Sequence, residues 1–278
     1  MKNERLEEWS IKNRMKFNVD KCCVMHCGRK NTERNYELYG TKLRKTTSEK
    51  DLGVIINCDM KFKDQVAAAA KKANRTLGMI KRNFECMNKD MFEVLYSTLV
   101  RPHLEHAVAV WSPYQVGQKE KLERVQRRAT KMAKELRSLE YNERLNKLNL
   151  MSTDDGRKRG DMITTFKIMK MKMDVGRDIL ERFDSTRTRG HNMKLKKIRS
   201  KKDYRKNFFT RRVCDEWNDR SQSDIDSTSV ESFKKAYDLN KGLNCRAEQR
   251  AGSSHLQKPM KKPMKNVCMY YAGYYYAG

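Results

Sequence analysis

Cys22, Cys23, His26 and Cys27 put four potential zinc ligands within six consecutive residues. Thiolates and imidazoles hold zinc well, but a structural zinc site joins ligand pairs from separated segments, and no second Cys/His pair lies nearby. The run Cys22–Cys27 reads as a strand, which turns Cys23 and Cys27 to one face and Cys22 and His26 to the other. That geometry splits the set, so buried and edge thiols are the better account, and no metal ligand is assigned. The chain has eight cysteines. Its start, Met1-Lys2-Asn3-Glu4-Arg5, is charged and lacks the apolar segment of a secretory leader. A reducing, intracellular compartment with free thiols is therefore expected.

Asp154-Asp155 is the one adjacent aspartate pair. Paired carboxylates can hold two divalent cations that clamp the attacking and leaving oxygens of phosphoryl transfer. Such a pair belongs at a β-hairpin behind an apolar strand. Here Ser152-Thr153 precede it and Gly156-Arg157-Lys158-Arg159 follow, which is the context of a helix start. No catalytic residue is assigned to it. No Ser/His/Asp or Cys/His nucleophile grouping stands out. His103 and His106 read as packing or hydrogen-bonding residues near a bend, and there is no glycine-rich phosphate loop.

The broad signal is charge. Sixty-two Lys and Arg stand against 35 Asp and Glu, a formal net charge of +27. Such a field attracts polyanions, of which nucleic acid is the commonest. Between Arg187 and Arg212 there are twelve basic residues and a single acid, Asp203. That run reads equally as a solvated segment, a nuclear address or a phosphate-binding arm. The candidate phosphate contacts are Lys71, Lys72, Arg75 and Arg82; Arg124, Arg127, Arg128 and Lys131; and Lys194, Lys196 and Lys197. Cations on a helix exterior are commonly just solvated. Two successive helices with basic outer faces, followed by a basic run, favour a surface that tracks a phosphate backbone. Phe84, Phe166 and Trp217 lie on apolar stripes, so their first reading is core.

The elements that must position these cations follow from periodicity. Residues 4–15 predict a short helix. Strands are expected at Phe17–Val19, Cys22–Cys27, Tyr36–Tyr39 and Leu52–Ile56, separated by breakers such as Gly28 and Gly40. Phe62, Val66, Ala69, Ala73, Leu77, Ile80 and Phe84 then recur at helical spacing. A second helix is expected near 89–100, with Met91, Phe92, Leu95 and Leu99 inward and Arg101-Pro102 ending or bending it. Leu122, Val125, Ala129, Met132 and Leu136 form the next stripe. Met162, Phe166, Met169 and Met173 mark a helix from Ser152 to about 174. Phe208, Phe209, Val213 and Trp217 mark one near 203–219, and Val230, Phe233 and Tyr237 a last one. From about Gly242 the periodicity stops, and a disordered tail is expected over 241–278. The fold class is α+β, mainly α, with a small antiparallel β element at the N-terminus. No apolar run approaches the roughly 20 residues of a membrane span.

The order of several motifs carries more than any of them alone. Met15-Lys16-Phe17-Asn18-Val19-Asp20-Lys21-Cys22 leads to Lys50-Asp51-Leu52-Gly53-Val54-Ile55-Ile56, then to Leu99-Val100-Arg101-Pro102-His103-Leu104-Glu105 and Trp111-Ser112-Pro113. Leu122-Glu123-Arg124-Val125-Gln126-Arg127-Arg128, Arg159-Gly160-Asp161, Arg189-Gly190-His191-Asn192-Met193-Lys194-Leu195 and Trp217-Asn218 follow. Across residues 8–238 this order resembles the C-terminal half of the reverse transcriptase of non-LTR retrotransposons, the jockey and CR1-like LINE elements. The resemblance implies an end-of-palm and primer-grip-like β element at 1–60 and a thumb-like helical region at 61–136. A basic post-thumb region at 137–240 and the tail at 241–278 complete the division. Lys21 falls where the family carries a lysine near the departing pyrophosphate; a lysine in a surface turn is the alternative.

By the same resemblance the family is an RNA-directed DNA polymerase, whose metal-binding carboxylates and endonuclease have no counterpart in these residues. Magnesium is expected only of a full-length enzyme, and no cofactor of this chain. Two departures stand out: Asp219-Arg220 where the family tends to carry Leu-Pro, and Asp155-Gly156-Arg157-Lys158 where it often has an acidic-Arg-Arg run. The expectation is an inactive polymerase fragment that keeps sequence-nonspecific binding to RNA or RNA/DNA duplex, in the nucleus or in a cytoplasmic element ribonucleoprotein. The alternatives are a co-opted nucleic-acid-binding helical protein, and the non-functional product of a decayed element.

Overall fold

The computed structural model describes residues 4–28, 31–170, 179–183, 190–242 and 269–272. The chain divides into two units, Met1–Gln65 with Leu256–Gly278, and Val66–His255. The fold is α+β and mainly α, with its strands short and gathered near the N-terminus.

In the first unit, α1 spans Glu4–Lys12 and is followed by a 3-10 turn at Val19–Lys21. The strands are β1 (Cys23–His26), β2 (Glu37–Leu38), β3 (Thr41–Lys42), β4 (Arg44–Thr46), β5 (Ser48–Asp51), β6 (Val54–Asn57) and β7 (Met269–Ala272). Two antiparallel hairpins form, β2–β3 and β5–β6; the alternation predicts β2 and most of β6 but not their partners β3 and β5. β1 departs from that pattern. It pairs in parallel with β4 on one side and β7 on the other, with Val24 opposite Lys45 and Tyr270. Single-strand alternation carries no information about the direction of a distant partner.

The expected strand at Phe17–Val19 is absent. Phe17 instead anchors a small core with Cys22, Val24, Leu38 and Leu43, and Trp9 of α1 stacks on it at 5.6 Å. Leu52 and Gly53, expected inside a strand, form the β5–β6 turn with both φ angles positive, at 45° and 89°. That is the backbone a two-residue hairpin requires.

Helix α2 (Lys63–Asn83) follows, and the second unit contains most of it. Val66, Ala69, Ala73, Leu77 and Ile80 are buried along one face, as their spacing predicts; Phe84 falls beyond the helix and is 38% exposed. Helix α3 (Lys89–Leu95), capped by Asn88, runs through a π-helical turn at Tyr96–Val100 into α4 (Arg101–Glu105). Of the four residues expected inward there, Phe92 is buried, whereas Met91 and Leu99 are exposed. The buried set is Phe92, Tyr96, Val100 and Leu104. On an α-helix, steps of four drift about 40° each. The wider π turn absorbs an extra residue and brings that set back into line.

The remaining helices are α5 (Val116–Thr130), α6 (Tyr141–Lys147), α7 (Thr153–Lys170), α8 (Asp203–Lys206), α9 (Phe209–Asn218), α10 (Gln222–Ile225) and α11 (Val230–Asn240). α7 is the hub, packed by α4, α5, α9 and α11. Met162, Phe166 and Met169 meet Phe209, Val213, Trp217, Phe233 and Tyr237, with the Phe166 and Phe233 rings stacked at 4.4 Å. Met173 and most of the tail from 243 onward lie outside the described residues. Among the described residues no helix is long and apolar enough to cross a membrane.

Candidate nucleic-acid interface

Burying Val66, Ala69, Ala73, Leu77 and Ile80 of α2 forces the opposite face into solvent. That face carries Lys71, Arg75 and Arg82, at spacings of four and seven, with Lys72 beside them; all four are exposed. On α5, burial of Leu122, Val125 and Ala129 sends Arg124, Arg127 and Arg128 outward, with Lys131 just past the helix end. The two helices are stitched at the surface: Arg128 donates to the Asn74 side chain at 2.8 Å. A second tie lies beyond their C-terminal ends, where the Lys134 N–H donates to the Met87 carbonyl at 3.2 Å. The two basic faces therefore form one ridge.

The ridge is largely uncompensated. Among the described residues, no carboxylate pairs with Lys71, Lys72, Arg75, Arg82, Arg128 or Lys131. Arg124 and Arg127 do have a partner, both reaching Glu120, at 3.6 and 3.3 Å. Arg127 also lies over the Tyr141 ring at 5.0 Å.

The third group of candidates behaves differently. Lys196 pairs with Glu181 at 3.4 Å and Lys197 with Asp215 at 2.7 Å. Lys194 is half-buried and folds back over Gly190. The backbone here is strapped to the end of α9. Trp217 Nε1 donates to the Met193 carbonyl at 2.8 Å, and the Asn218 side chain exchanges hydrogen bonds with Leu195 at 2.8 and 2.9 Å. His191 sits beneath this strap. Its Nε2–H donates to the Trp217 carbonyl at 2.9 Å and its Nδ1 accepts from the Met193 N–H at 3.1 Å. Both ring nitrogens are used by the neutral form, and burial holds its pKa below the ordinary value.

Charge counting missed a separate arginine system. Arg157 is buried against the Trp111 ring at 3.9 Å and donates to the carbonyls of Leu104 and Trp111. Burial lowers its pKa to about 10, so it stays cationic at neutral pH. Arg159 makes a two-pronged pair with Asp238 at 2.6 and 2.7 Å. Arg212 does the same with Asp161 at 2.7 and 2.9 Å and also donates to the Val108 carbonyl. Thus Arg212, the last residue of the basic run, faces the core. A usable signal was present: Arg157 and Asp161 are four apart on α7, which places charge on a face that should be apolar for a helix packed all round.

The other chemistry-bearing residues are accounted for locally. Asp154 lies in the first turn of α7, paired with Lys119 at 2.8 Å and Lys158 at 3.1 Å. Burial pushes its carboxyl up, but the two lysines hold it below its ordinary value. Ser152 caps the helix by accepting from the Asp155 N–H at 3.1 Å. Cys22, Cys23 and Cys27 are buried. Burial, aided by Glu49, pushes the Cys23 thiol up to about 11, and burial raises Cys27. Those thiols are protonated at neutral pH and disposed to pack. His26 Nδ1 contacts the Asn31 side chain at 3.2 Å. Lys21 is exposed in the 3-10 turn. Cys245 and Cys268 lie outside the described residues. No family model, curated protein or solved structure matches the chain.

Proposed function

We propose that the chain grips nucleic acid, RNA or an RNA/DNA duplex, by its phosphate backbone along the α2–α5 ridge. One observation carries this reading: six exposed cations on adjoining helix faces have no carboxylate partner, whereas Lys196, Lys197, Arg159 and Arg212 of the same unit are paired. Counterion release from phosphates then supplies the binding free energy, independent of base sequence. The motif order over residues 8–238 supports a kinship with the thumb and post-thumb regions of LINE-type reverse transcriptases. On that reading the chain corresponds to the grip of such an enzyme. Polymerase chemistry is not proposed for it, because Asp154 and Asp155 sit at a helix start, tied to lysines.

The test is equilibrium binding of a fluorescent duplex across a salt series. With six phosphates neutralised, log affinity is expected to fall against log salt with a slope of roughly −5. Scrambling the duplex sequence should leave affinity unchanged. A salt-independent affinity, or none at low salt, overturns the reading. Incorporation of nucleotides on a primed template by the purified chain overturns the non-catalytic part.

A further inference from the structure

Just beyond the paired lysines the pattern reverses. Arg199, Lys201, Lys202, Arg205 and Lys206 occupy an irregular segment and α8, and all are exposed. Among the described residues none of the five has a carboxylate partner; Lys202 leans over the Tyr204 ring at 5.8 Å. One acid, Asp203, lies within the segment. Phe208, 44% exposed, stands beside it, an apolar face on which a base or sugar can rest.

The position of this patch is defined by a cleft of about 150 Å³. Asn207, the residue after α8, lines it together with Lys119 near the start of α5. Arg128, the centre of the ridge, is nine residues further along α5, about 14 Å by helical rise. The two uncompensated clusters therefore lie toward opposite ends of α5 and half a turn apart around it, at least about 15–20 Å from one another. A duplex advances 3.4 Å per base pair, so a ligand that touches both clusters must be longer than about five base pairs.

We infer that the Arg199–Lys206 segment is a second phosphate-binding site, engaged together with the ridge only by nucleic acid long enough to reach both. This inference rests on the ridge reading and adds to it a length requirement. Two weak sites on one compact unit raise each other's effective concentration, so the second contact multiplies affinity without any new chemistry at the first.

Two variants of the full chain test it, each checked for native circular dichroism: Lys201→Ala/Lys202→Ala/Arg205→Ala/Lys206→Ala, and Arg75→Ala/Arg128→Ala/Lys131→Ala. Each is titrated with RNA hairpins of about five and about twenty base pairs at about 100 mM salt. The α8 variant should lose roughly tenfold or more on the long hairpin and under threefold on the short one, with a shallower salt slope on the long one. The ridge variant should lose affinity for both. Equal losses on both hairpins in the α8 variant mean a general field effect and overturn a separate site, as does no loss on either. A ridge variant that binds normally while the α8 variant does not refutes the ridge reading and leaves α8 as the sole site. Loss of binding to phosphatidylserine vesicles with hairpin binding intact assigns the patch to lipid and overturns the inference.

Discussion

Arginines of one unit do opposite work on its two sides. Arg75 and Arg128 stand in water without a counter-charge, whereas Arg159 is buried and Arg212 half-buried, each in a two-pronged carboxylate pair. The residue type is the same and so is the formal charge. The difference lies in what surrounds each. A buried guanidinium must have its donors satisfied, because desolvating an unpaired charge costs far more than the pair gains. An exposed one keeps its hydration and its field, and that field remains available to a polyanion. Net charge is therefore a poor measure of a nucleic-acid surface; the uncompensated fraction is the useful quantity.

The largest expected effect breaks the buried side. Removing one partner, as in Arg159→Ala or Asp238→Ala, should cost about 3–5 kcal/mol of stability, because the other charge stays buried without its two-pronged partner. Chemical denaturation reads this directly. The double variant Arg159→Met/Asp238→Leu should recover most of the loss; if it is no more stable than either single variant, the pair is doing something other than mutual neutralisation.

Next in size is the ridge. Arg75→Ala/Arg128→Ala/Lys131→Ala should flatten the salt slope by about 0.9 per lost contact. Its stability should change by no more than about 0.5 kcal/mol per site. A large drop in melting temperature would show these side chains to be structural after all, and would erase the contrast between the two sides.

A third effect is pH-dependent and concerns the strap over α9. The folded pKa of His191 lies below its ordinary 6.5, chiefly through burial, although the Trp217 carbonyl opposes this and Lys194 adds to it. The unfolded chain therefore binds this proton at higher pH than the folded one. The contribution is fully present above about pH 6.5 and is lost as pH falls from there through the lower folded value. Melting at pH 7.5 and 5.5 should show the loss in the parent chain and a smaller one in His191→Gln. Equal losses in both would remove His191 as the cause.

The smallest effect tests the paired lysines. Lys197→Ala removes an exposed ion pair and should change stability by at most about 1 kcal/mol. Its effect on duplex affinity should be slighter than that of Arg128→Ala. The reverse ranking would mean that Asp215 does not hold Lys197 away from phosphate.

Much of the helical scaffold was readable directly. The stripe from Val66 to Ile80 is buried as its spacing implies, and Ser152 caps α7 where the sequence places a helix start. The misreadings have local causes. An α-helical period predicts Leu99 inward, but the π-helical turn at Tyr96–Val100 rotates it into solvent, while Met91, ahead of that turn, lies beside the buried Phe92 and stays exposed. Phe17 looked like a strand residue because burial in a turn and burial in a strand leave the same apolar signature. The parallel partners of β1 were invisible because they are distant along the chain.

By itself the sequence determined which residues are charged and which faces of α2 and α5 must point outward. These properties are local: helical periodicity couples residues three and four apart, and a solvent-facing side chain follows from the burial of its opposite face. Only the tertiary structure decided which cations are spent on carboxylates and which are left over. Arg159 and Asp238 are 79 residues apart, and Arg212 and Asp161 are 51 apart. No periodicity reaches that far. Such pairs exist because packing α9 and α11 onto α7 removes those groups from water together, and the cost of desolvation selects partners that the chain's own order cannot reveal.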